Sequence, residues 1–459
     1  MSHWIEKSIF YHIYPLGCFG APKKNDFTAP VVPKIQELEQ WIPHLLKMHV
    51  NALYLGPLFE SSSHGYDTAN YHQVDRRLGD NQTLQKMIAL YHSNGIRVIL
   101  DGVFNHVGRD FFAFQDLQIH QKESIYRDWF SGIDFNLQSP FNDPFRYDGW
   151  NDHYDLVKLN LSNAAVINYL LETVTYWIDY FHIDGLRMDA ADCIDISFLQ
   201  KLNKHCKQRN PDFWLMGEVI HGDYSMWVNC GALDSVTNYE CYKGLYSSHN
   251  DHNFFEIAYS LNRQFGTDGI YSHFLPYSFA DNHDVNRLTS TLFNPAHVFP
   301  LYCLLFSMPG VPSIYYGSEW GVSGARTPTE DTALRPHLEI ETMTANTTYQ
   351  SLPEYIARLS EIRLNSPALQ HGEYRQLHVS NEQFAFLRQT RENLMLVAVN
   401  SSQNSLSLEI NGIPVPDGIG KDLLTGEINQ IKNGKLVIQN FPSNSGKIIE
   451  VNVNSPISL

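Results

Sequence analysis

The chain has 459 residues, 43% of them hydrophobic, and a formal net charge of −16. This length and hydrophobic content predict a large globular protein with one main domain and one or two accessory domains. The negative charge argues against nucleic acid or an anionic membrane surface as a partner, whereas an uncharged polar substrate would be indifferent to it. No segment of the sequence is long and apolar enough to span a membrane.

The six cysteines form no CxxC pair, and no His/Cys cluster has the spacing of zinc ligands. We interpret them as free thiols, which are typical of a reducing compartment. The amino-terminal segment lacks the basic stretch and the long apolar stretch of a secretory signal peptide. We therefore expect a cytoplasmic protein.

Eight short segments rich in β-branched and aromatic residues alternate with longer helical patterns. The short segments are mostly apolar on both faces, which is typical of strands in a parallel sheet. They cover residues 8–16, 50–58, 96–104, 183–191, 213–219, 234–240, 273–283 and 311–319. Helical patterns lie between them at 38–49, 81–95 and 163–182. Eight strands that alternate with helices predict an α/β fold of the (β/α)8 TIM barrel type.

Two segments depart from this alternation. Residues 107–160 contain no convincing helix–strand unit, and we predict that they form a small inserted domain after the third strand. After a predicted helix at 353–369, short alternating segments separated by Asn, Gly and Pro predict a C-terminal antiparallel β domain, a β-sandwich at 372–459. The barrel, which would be the catalytic domain, then comprises residues 1–106 and 161–371.

Four acidic residues lie within or at the end of four different predicted strands. They are Asp101, Asp189, Glu218 and Asp284. A single acidic residue at a strand end is most often a loop cap. Four acids at the mouth of one barrel are hard to explain as caps, and catalytic groups of TIM barrels lie at the carboxyl ends of the strands. The pattern therefore predicts a carboxylate site.

A cation accompanies these acids. Arg187 lies two residues before Asp189, so the two side chains share one face of the strand. A structural ion pair is the simplest explanation, but among other carboxylates we expect Arg187 to keep Asp189 ionised and able to act as a nucleophile. Glu218 lies in a largely apolar strand, and we expect this setting to raise its pKa. One ionised and one protonated carboxyl group are what cleavage of a glycosidic bond requires.

Two histidines, His106 and His283, lie beside the same predicted mouth. Either one alone would most simply be a loop histidine bonded to a neighbouring carboxylate. As a pair among these acids, we expect them to contact the hydroxyl groups of a sugar.

Four stretches now identify a resemblance to a known family. "DGVFNH" (101–106), "GLRMDAADC" (185–193), "GEV" (217–219) and "FADNHD" (279–284) resemble, in this order, the four conserved stretches of the α-amylase family, glycoside hydrolase family 13. "GYDTANY" (65–71), "LVKLN" (156–160) and "GVPSIYYGSE" (310–319) are similar to further stretches of that family. The resemblance implies a retaining α-glucan hydrolase that works through a covalent glycosyl-enzyme.

The resemblance also implies a role for each site residue. Asp189 would be the nucleophile, Glu218 the general acid/base, and Asp284 the third acid, which binds sugar hydroxyls. Arg187 would position Asp189, and Asp101 would be a structural acid that holds the arginine and its loop. His106 and His283 would bind the same sugar, and Tyr66 would be a stacking platform.

Finer cues resemble the cyclomaltodextrinase, neopullulanase and maltogenic amylase branch, among them "SSSHGYDTANYHQVD", "YRDWF" and "VTNYE". That branch implies α-1,4 cleavage of maltooligosaccharides or cyclodextrins and leaves α-1,6 cleavage open. Its members usually carry an N-terminal β domain, for which the first predicted strand at residue 8 leaves no room. They also tend to have tryptophan where this chain has Ile220.

Other functions stay open at this point. A glucosyltransferase or phosphorolytic relative would use the same three acids, and only the acceptor would differ. A non-catalytic glucan-binding relative is disfavoured because all three acids are present, and a metal-dependent hydrolase because the histidines lack ligand spacing. We expect no cofactor. Some family members hold structural calcium beside an asparagine equivalent to Asn105, and we do not predict it here. The sequence leaves the oligomeric state open.

The inserted segment is rich in aromatic rings. We expect some of them to pack its core and others to form a wall of the substrate cleft, which would favour short or cyclic glucans. They include Phe111, Phe112, Phe114, Trp129, Phe130 and Phe135.

Overall fold

The computed structural model describes residues 3–452 and contains a closed parallel barrel. Its strands are β1 Phe10–Ile13, β2 Ala52–Leu55, β3 Arg97–Gly102, β4 Gly185–Met188, β5 Trp214–Gly217, β6 Ser235–Val236, β7 Tyr277–Phe279 and β8 Val311–Tyr315. They are hydrogen-bonded in the order β6-β5-β4-β3-β2-β1-β8-β7. A parallel bridge between Thr237 and Tyr277 joins the two ends of this sheet. The predicted (β/α)8 barrel is confirmed, and each strand lies within its predicted segment.

Side chains along each barrel strand alternate between two apolar layers. Phe10, Tyr54 and Trp214 point into the barrel and belong to one buried cluster. Their sequence neighbours, such as Tyr11 and Leu53, belong to the cluster that packs under the helices. This burial on both faces explains why the strands read as continuous apolar segments.

Helices surround the barrel. The longer ones are Leu38–Lys47, Asn81–Ser93, Ala164–Tyr176, Ile196–Arg209, Tyr239–Asn250, Phe255–Phe265, Val298–Ser307 and Leu352–Leu364. The three predicted between strands are confirmed, and the third continues into a π-helical turn at Trp177–Phe181. Short helices are His3–Glu6, Pro15–Cys18, Ser225–Val228, Leu288–Thr291, Ile340–Asn346 and Pro367–His371.

Side-chain caps explain where several of these helices begin and end. The Asp80 and Asp195 carboxylates accept hydrogen bonds from backbone N–H groups at the first turns of Asn81–Ser93 and Ile196–Arg209. Gly95 takes a left-handed conformation with φ of 76° directly after Asn81–Ser93, which glycine adopts without strain. The predicted helix at 353–369 is interrupted between Leu364 and Pro367 because proline is favoured at a new helix start.

The inserted segment contains short elements that the sequence pattern did not reveal. They are a helix, Phe112–His120, and two strands, Gly149–Trp150 and His153–Lys158, which form a three-stranded antiparallel sheet with His106–Gly108. None of these strands joins the barrel sheet. The strands are two to six residues long, too short for a visible pattern, and they pair through a long excursion of the chain, as in the register of His106 with Lys158.

The C-terminal region is an eight-stranded antiparallel sheet. Its strands are β9 Glu373–Val379, β10 Gln383–Gln389, β11 Leu394–Asn400, β12 Leu406–Ile410, β13 Gly418–Asp422, β14 Ile428–Lys432, β15 Lys435–Phe441 and β16 Ser445–Val451. They are ordered β9-β10-β11-β16-β13-β14-β15-β12. Residues from both halves, such as Leu387, Leu396 and Leu436, share one buried cluster, so the sheet folds over on itself. The predicted C-terminal antiparallel β domain is confirmed.

A buried arginine joins this sheet to the barrel. Arg388 on β10 donates a hydrogen bond to the carbonyl of Ser307 at 2.8 Å. A second buried arginine, Arg363 on the barrel helix Leu352–Leu364, donates one to the carbonyl of Phe306 at 3.0 Å. Both carbonyls lie at the C-terminal end of helix Val298–Ser307, where the helix dipole favours cations.

Candidate active site

The carboxyl ends of β3, β4, β5 and β7 bring the predicted acids together at one mouth of the barrel. Asp101 lies in β3 opposite Arg187 in β4, and their backbones are paired in register. Asp189 and Glu218 immediately follow the ends of β4 and β5, and Asp284 follows β7. Parallel strands of a closed barrel end on the same side, so acids distant in sequence become neighbours.

One buried guanidinium group, that of Arg187, connects three carboxylates. Its Nη1 lies 2.9 Å from Oδ1 of Asp101 and 2.8 Å from Oδ1 of Asp189, and its Nη2 lies 2.8 Å from Oε2 of Glu218. The arginine side chain is 3% exposed. The contacts of Arg187 with Asp189 and Asp101 were predicted, whereas the contact with Glu218, which completes a four-residue cluster with one positive charge, was not.

The cluster has three carboxylates and one guanidinium group, and burial together with this imbalance of charge favours protonation of the site. Burial raises the pKa of both Asp189 and Glu218, and Arg187 opposes the rise in each case. The Glu218 and Asp101 carboxylates raise the pKa of Asp189 further, and the Asp284 carboxylate raises that of Glu218. The expected increase at Glu218 therefore occurs. Arg187 alone does not lower the pKa of Asp189 in the free site, so Asp189 and Glu218 together retain a proton more readily than isolated carboxyls.

Asp284 has the opposite electrostatic setting. Its burial would raise its pKa, but the His283 ring and the Arg335 guanidinium bring the pKa well below the usual range of an aspartate. His283 Nε2 lies 2.9 Å from Oδ2 of Asp284, and Arg335 Nη2 lies 3.0 Å from Oδ1. Asp284 is therefore an ionised acceptor at neutral pH.

The two predicted histidines and Tyr66 lie against these acids. His106 Nε2 is 3.8 Å from Oδ2 of Asp189, and burial lowers the pKa of His106 to about 3, so this ring is neutral. Tyr66 donates a hydrogen bond to Oδ2 of Asp101 at 3.1 Å and shares another with Nε2 of His283. The Tyr66 ring is 8% exposed and stacks on the ring of His283. All seven predicted site residues are thus within one connected cluster.

Three residues of this cluster were missed by sequence reasoning. Tyr54 donates a hydrogen bond to Oδ2 of Asp101 at 2.8 Å, and Tyr239 donates one to Oε1 of Glu218 at 3.4 Å. Arg335, in the loop after β8, holds Asp284. Tyr54 resembled an ordinary core residue of an apolar strand. Tyr239 lies in the "VTNYE" stretch, which was a usable signal, whereas nothing in the sequence around Arg335 indicated its contact.

The aromatic rings of the insert include the predicted core residues, but the described ring contacts do not include the predicted cleft wall. Phe111, Phe114 and Phe130 are buried in the core, and Phe112 and Trp129 pack against Tyr169 on the flanking helix. Among residues 3–452, none of the six predicted rings has a ring contact with a site residue. A different ring of the insert, Trp150, lies 5.7 Å from that of His106.

The surroundings of Asn105 do not have the ligands of a calcium site. Within residues 3–452, no group of three or more His, Cys, Asp or Glu side chains is arranged to hold a metal ion. Asn105 Oδ1 is buried without a hydrogen-bond partner, and its Nδ2 lies 3.2 Å from Nδ1 of His106. Calcium takes six to eight oxygen ligands, usually with several carboxylates. One amide oxygen without a carboxylate cluster does not fit a calcium site.

Residues 34–348 match the model of the α-amylase catalytic domain. The chain belongs to the α-amylase family. A cyclomaltodextrinase from a Bacillus species is 30% identical over 419 residues, which cover 87% of this chain and 74% of the relative. An intracellular maltogenic amylase from Bacillus subtilis strain 168 is 27% identical over 420 residues, covering 86% of this chain and 69% of the relative.

Solved structures give the same result. A cyclomaltodextrinase structure has a TM-score of 0.84 to this chain at 28% identity, and the match covers 98% of this chain and 79% of that one. The predicted resemblance to the cyclomaltodextrinase and maltogenic amylase branch is confirmed. As a member of the α-amylase family, the protein is a glycoside hydrolase, and the family works with retention of anomeric configuration.

No helix that the structure describes within residues 3–452 combines the length and the apolar character needed to cross a membrane.

Proposed function

We propose that this α-amylase family member hydrolyses α-1,4-glucosidic bonds of maltooligosaccharides and cyclodextrins, with Asp189, Glu218 and Asp284 as its catalytic acids. The observation that carries the proposal is the shared contact of Arg187 with Asp189 and Glu218 at the barrel mouth. It brings a nucleophile and an acid, from adjacent strands, to one guanidinium group. The names of the relatives supply the substrate class.

In the first step, a carboxylate oxygen of Asp189 attacks the anomeric carbon of the bound glucosyl unit. The bond from this carbon to the leaving oxygen breaks, and Glu218 gives its proton to that oxygen. In the second step, Glu218, now a carboxylate, takes a proton from water while the water oxygen attacks the same carbon and releases Asp189. Two inversions give net retention.

The electrostatics of the cluster support the roles of Glu218 as the acid and Asp189 as the nucleophile. Glu218 has a raised pKa and is influenced by the charge of Asp284, so it is suited to hold the proton in the substrate complex. Arg187 remains bonded to Asp189 and favours its ionised form when Glu218 is protonated. Asp284, kept ionised by Arg335 and His283, is suited to accept hydrogen bonds from sugar hydroxyls.

The test uses two substrates and three variants. Asp189→Asn should lower kcat/KM by several orders of magnitude on both maltotriose and α-glucosyl fluoride, because no covalent intermediate can form. Glu218→Gln should be nearly as impaired on maltotriose but much less on the fluoride, whose leaving group needs no proton. Asp192→Asn, an exposed carboxylate in the same loop as Asp189, is the matched control and should retain activity. Equal losses on both substrates in Glu218→Gln would refute the acid assignment.

The stereochemical outcome is a second test. NMR of the first products should show α-configured reducing ends. Initial release of the β-anomer would exclude double displacement.

We also propose that the protein acts in the cytoplasm and needs no cofactor. Two observations support the location: the six cysteines are free thiols, and one relative is named as intracellular. Cell fractionation followed by activity measurement on cyclodextrin tests it.

A further inference from the structure

Trp150 lies at the edge of the reaction centre and has no role in the chemistry described above. It belongs to the short strand Gly149–Trp150 of the insert and is partly exposed. Its ring centroid is 5.7 Å from that of His106, with the two planes tilted by 36°. His106 in turn faces Asp189, with 3.8 Å between Nε2 and Oδ2. The indole therefore lies one side chain away from the nucleophile.

Two further contacts hold this ring in place. The ring of His153 stacks on it, with centroids 6.0 Å apart and planes at 24°, and the backbones of the two residues are paired across the hairpin. On another side the indole lies beside Cys193 in the loop after β4, and the indole Nε1 is buried without a hydrogen-bond partner among the described residues. Trp150 thus connects the insert to the loop that carries Asp189. A ring immobilised in this way loses little conformational freedom when a ligand stacks on it.

We infer that Trp150 stacks on the glucosyl unit next to the one that Asp189 attacks, and that it makes the enzyme selective for oligosaccharides over single glucosyl derivatives. The inference rests on the proposed function. Its chemistry is that of an aromatic face against the apolar C–H face of a sugar. Binding energy from such a remote unit is available to accelerate the reaction at the scissile bond.

The locations of the other large rings of the insert leave Trp150 as the candidate for stacking on a sugar. Phe111, Phe114 and Phe130 are buried, and Trp129 packs against Tyr126 and Tyr169 away from the acids. Trp129 is consequently a matched control, because it has the same residue type, lies in the same insert and is also partly exposed.

The experiment compares Trp150→Leu, Trp150→Phe and Trp129→Leu with the wild type on maltotriose and on α-glucosyl fluoride, which fills only the site of cleavage. For Trp150→Leu we expect kcat/KM on maltotriose to fall about tenfold or more, with the value on the fluoride within about twofold of wild type. Trp150→Phe keeps a ring and should retain an intermediate value. Trp129→Leu should leave the ratio of kcat/KM on maltotriose to kcat/KM on the fluoride unchanged. Thermal unfolding establishes that each variant is folded.

Three outcomes would overturn the inference. An unchanged substrate ratio in folded Trp150→Leu would mean that no sugar stacks there. Equal losses on both substrates would mean that Trp150 acts only by orienting His106. An equal change in the ratio of the two kcat/KM values in Trp129→Leu would show that the effect is not specific to Trp150. Wild-type activity on maltotriose tests the proposed function separately. A failure of the proposed function is therefore distinguishable from a failure of the inference about Trp150.

A binding measurement tests the inference without requiring catalytic activity. In Asp189→Asn protein, maltotriose titration should quench tryptophan fluorescence. The double variant Asp189→Asn/Trp150→Phe should lose most of the quench and bind more weakly than Asp189→Asn, whereas Asp189→Asn/Trp150→Leu should bind about tenfold more weakly. Retention of both the quench and the affinity would contradict the assignment.

Discussion

Arg335 and Asp284 form a salt bridge at the barrel mouth, with 3.0 Å between Nη2 and Oδ1. The same guanidinium lies 2.9 Å from Oδ2 of Asp331 and donates from Nε to the carbonyl of His283 at 3.0 Å. Arg335 is thereby fixed to the loop that carries Asp284. The His283 ring and, after it, the Arg335 guanidinium hold the pKa of Asp284 below the usual range despite burial.

Removal of this arginine should change the pH dependence of the enzyme. Arg335→Leu raises the pKa of Asp284, so the acid limb of the kcat/KM profile should move to higher pH. The lost orientation should lower kcat/KM at neutral pH by about one to two orders of magnitude. Arg326→Leu is the control, because Arg326 is half exposed and 4.0 Å from the same oxygen, and it should leave the limb nearly in place. An unmoved limb in Arg335→Leu would show that Asp284 does not depend on Arg335.

Asparagine variants of Asp189 and Asp284 should change stability in opposite directions. The pKa of Asp189 is raised in the folded protein, so its ionisation opposes folding above the pKa of an unfolded aspartate. Asp189→Asn should therefore stabilise the protein by about 0.5–2 kcal/mol at neutral pH, as is common when a strained functional residue is removed. The gain should vanish as the pH falls below about 4, where an unfolded aspartate is protonated.

Asp284 gives the reverse result. Its folded pKa is depressed, so its charge contributes stability that is present above the unfolded pKa and is lost as pH falls through the folded pKa. Asp284→Asn should destabilise the protein at neutral pH, with a smaller deficit in acid. Urea unfolding of both variants at several pH values from about 2.5 to 8 measures the two effects. Changes of the same sign would contradict the electrostatic account of the site.

The prediction of the barrel and of its acids from sequence has a physical basis. Strands buried on both faces leave continuous apolar segments, so the segment that contains Asp101 or Asp189 was visible without the fold, and topology then placed both at one mouth. The cluster around Arg187 was only half foreseen. Its contact with Glu218 depends on the pairing of two strands, which sequence spacing does not reveal, and the contact of Arg335 with Asp284 depends on an irregular loop.

Metal removal should have no effect on this enzyme. No acidic cluster surrounds Asn105 within residues 3–452, and the acids of the site are already engaged with Arg187 and Arg335. Dialysis against EDTA is expected to leave the thermal midpoint and kcat/KM on cyclodextrin unchanged, with a buffer-dialysed sample as the control. A lower midpoint that added calcium restores would reveal a structural ion and refute this expectation.

Substrate size is the remaining prediction. The side chains proposed to bind a glucan lie close together at the barrel mouth: Asp284 with His283, His106 beside Asp189, and Trp150 beside His106. Binding energy gathered there is realised fully by a few glucose units and is not increased by a long polymer. We therefore expect kcat/KM to be higher on maltotetraose and cyclodextrin than on soluble starch, and negligible on granular starch or β-linked glucans. Reducing-end release at equal enzyme concentration measures this order. Faster cleavage of soluble starch than of both short substrates would mean that distant surface contacts dominate binding and that the enzyme is a polymer-acting α-amylase.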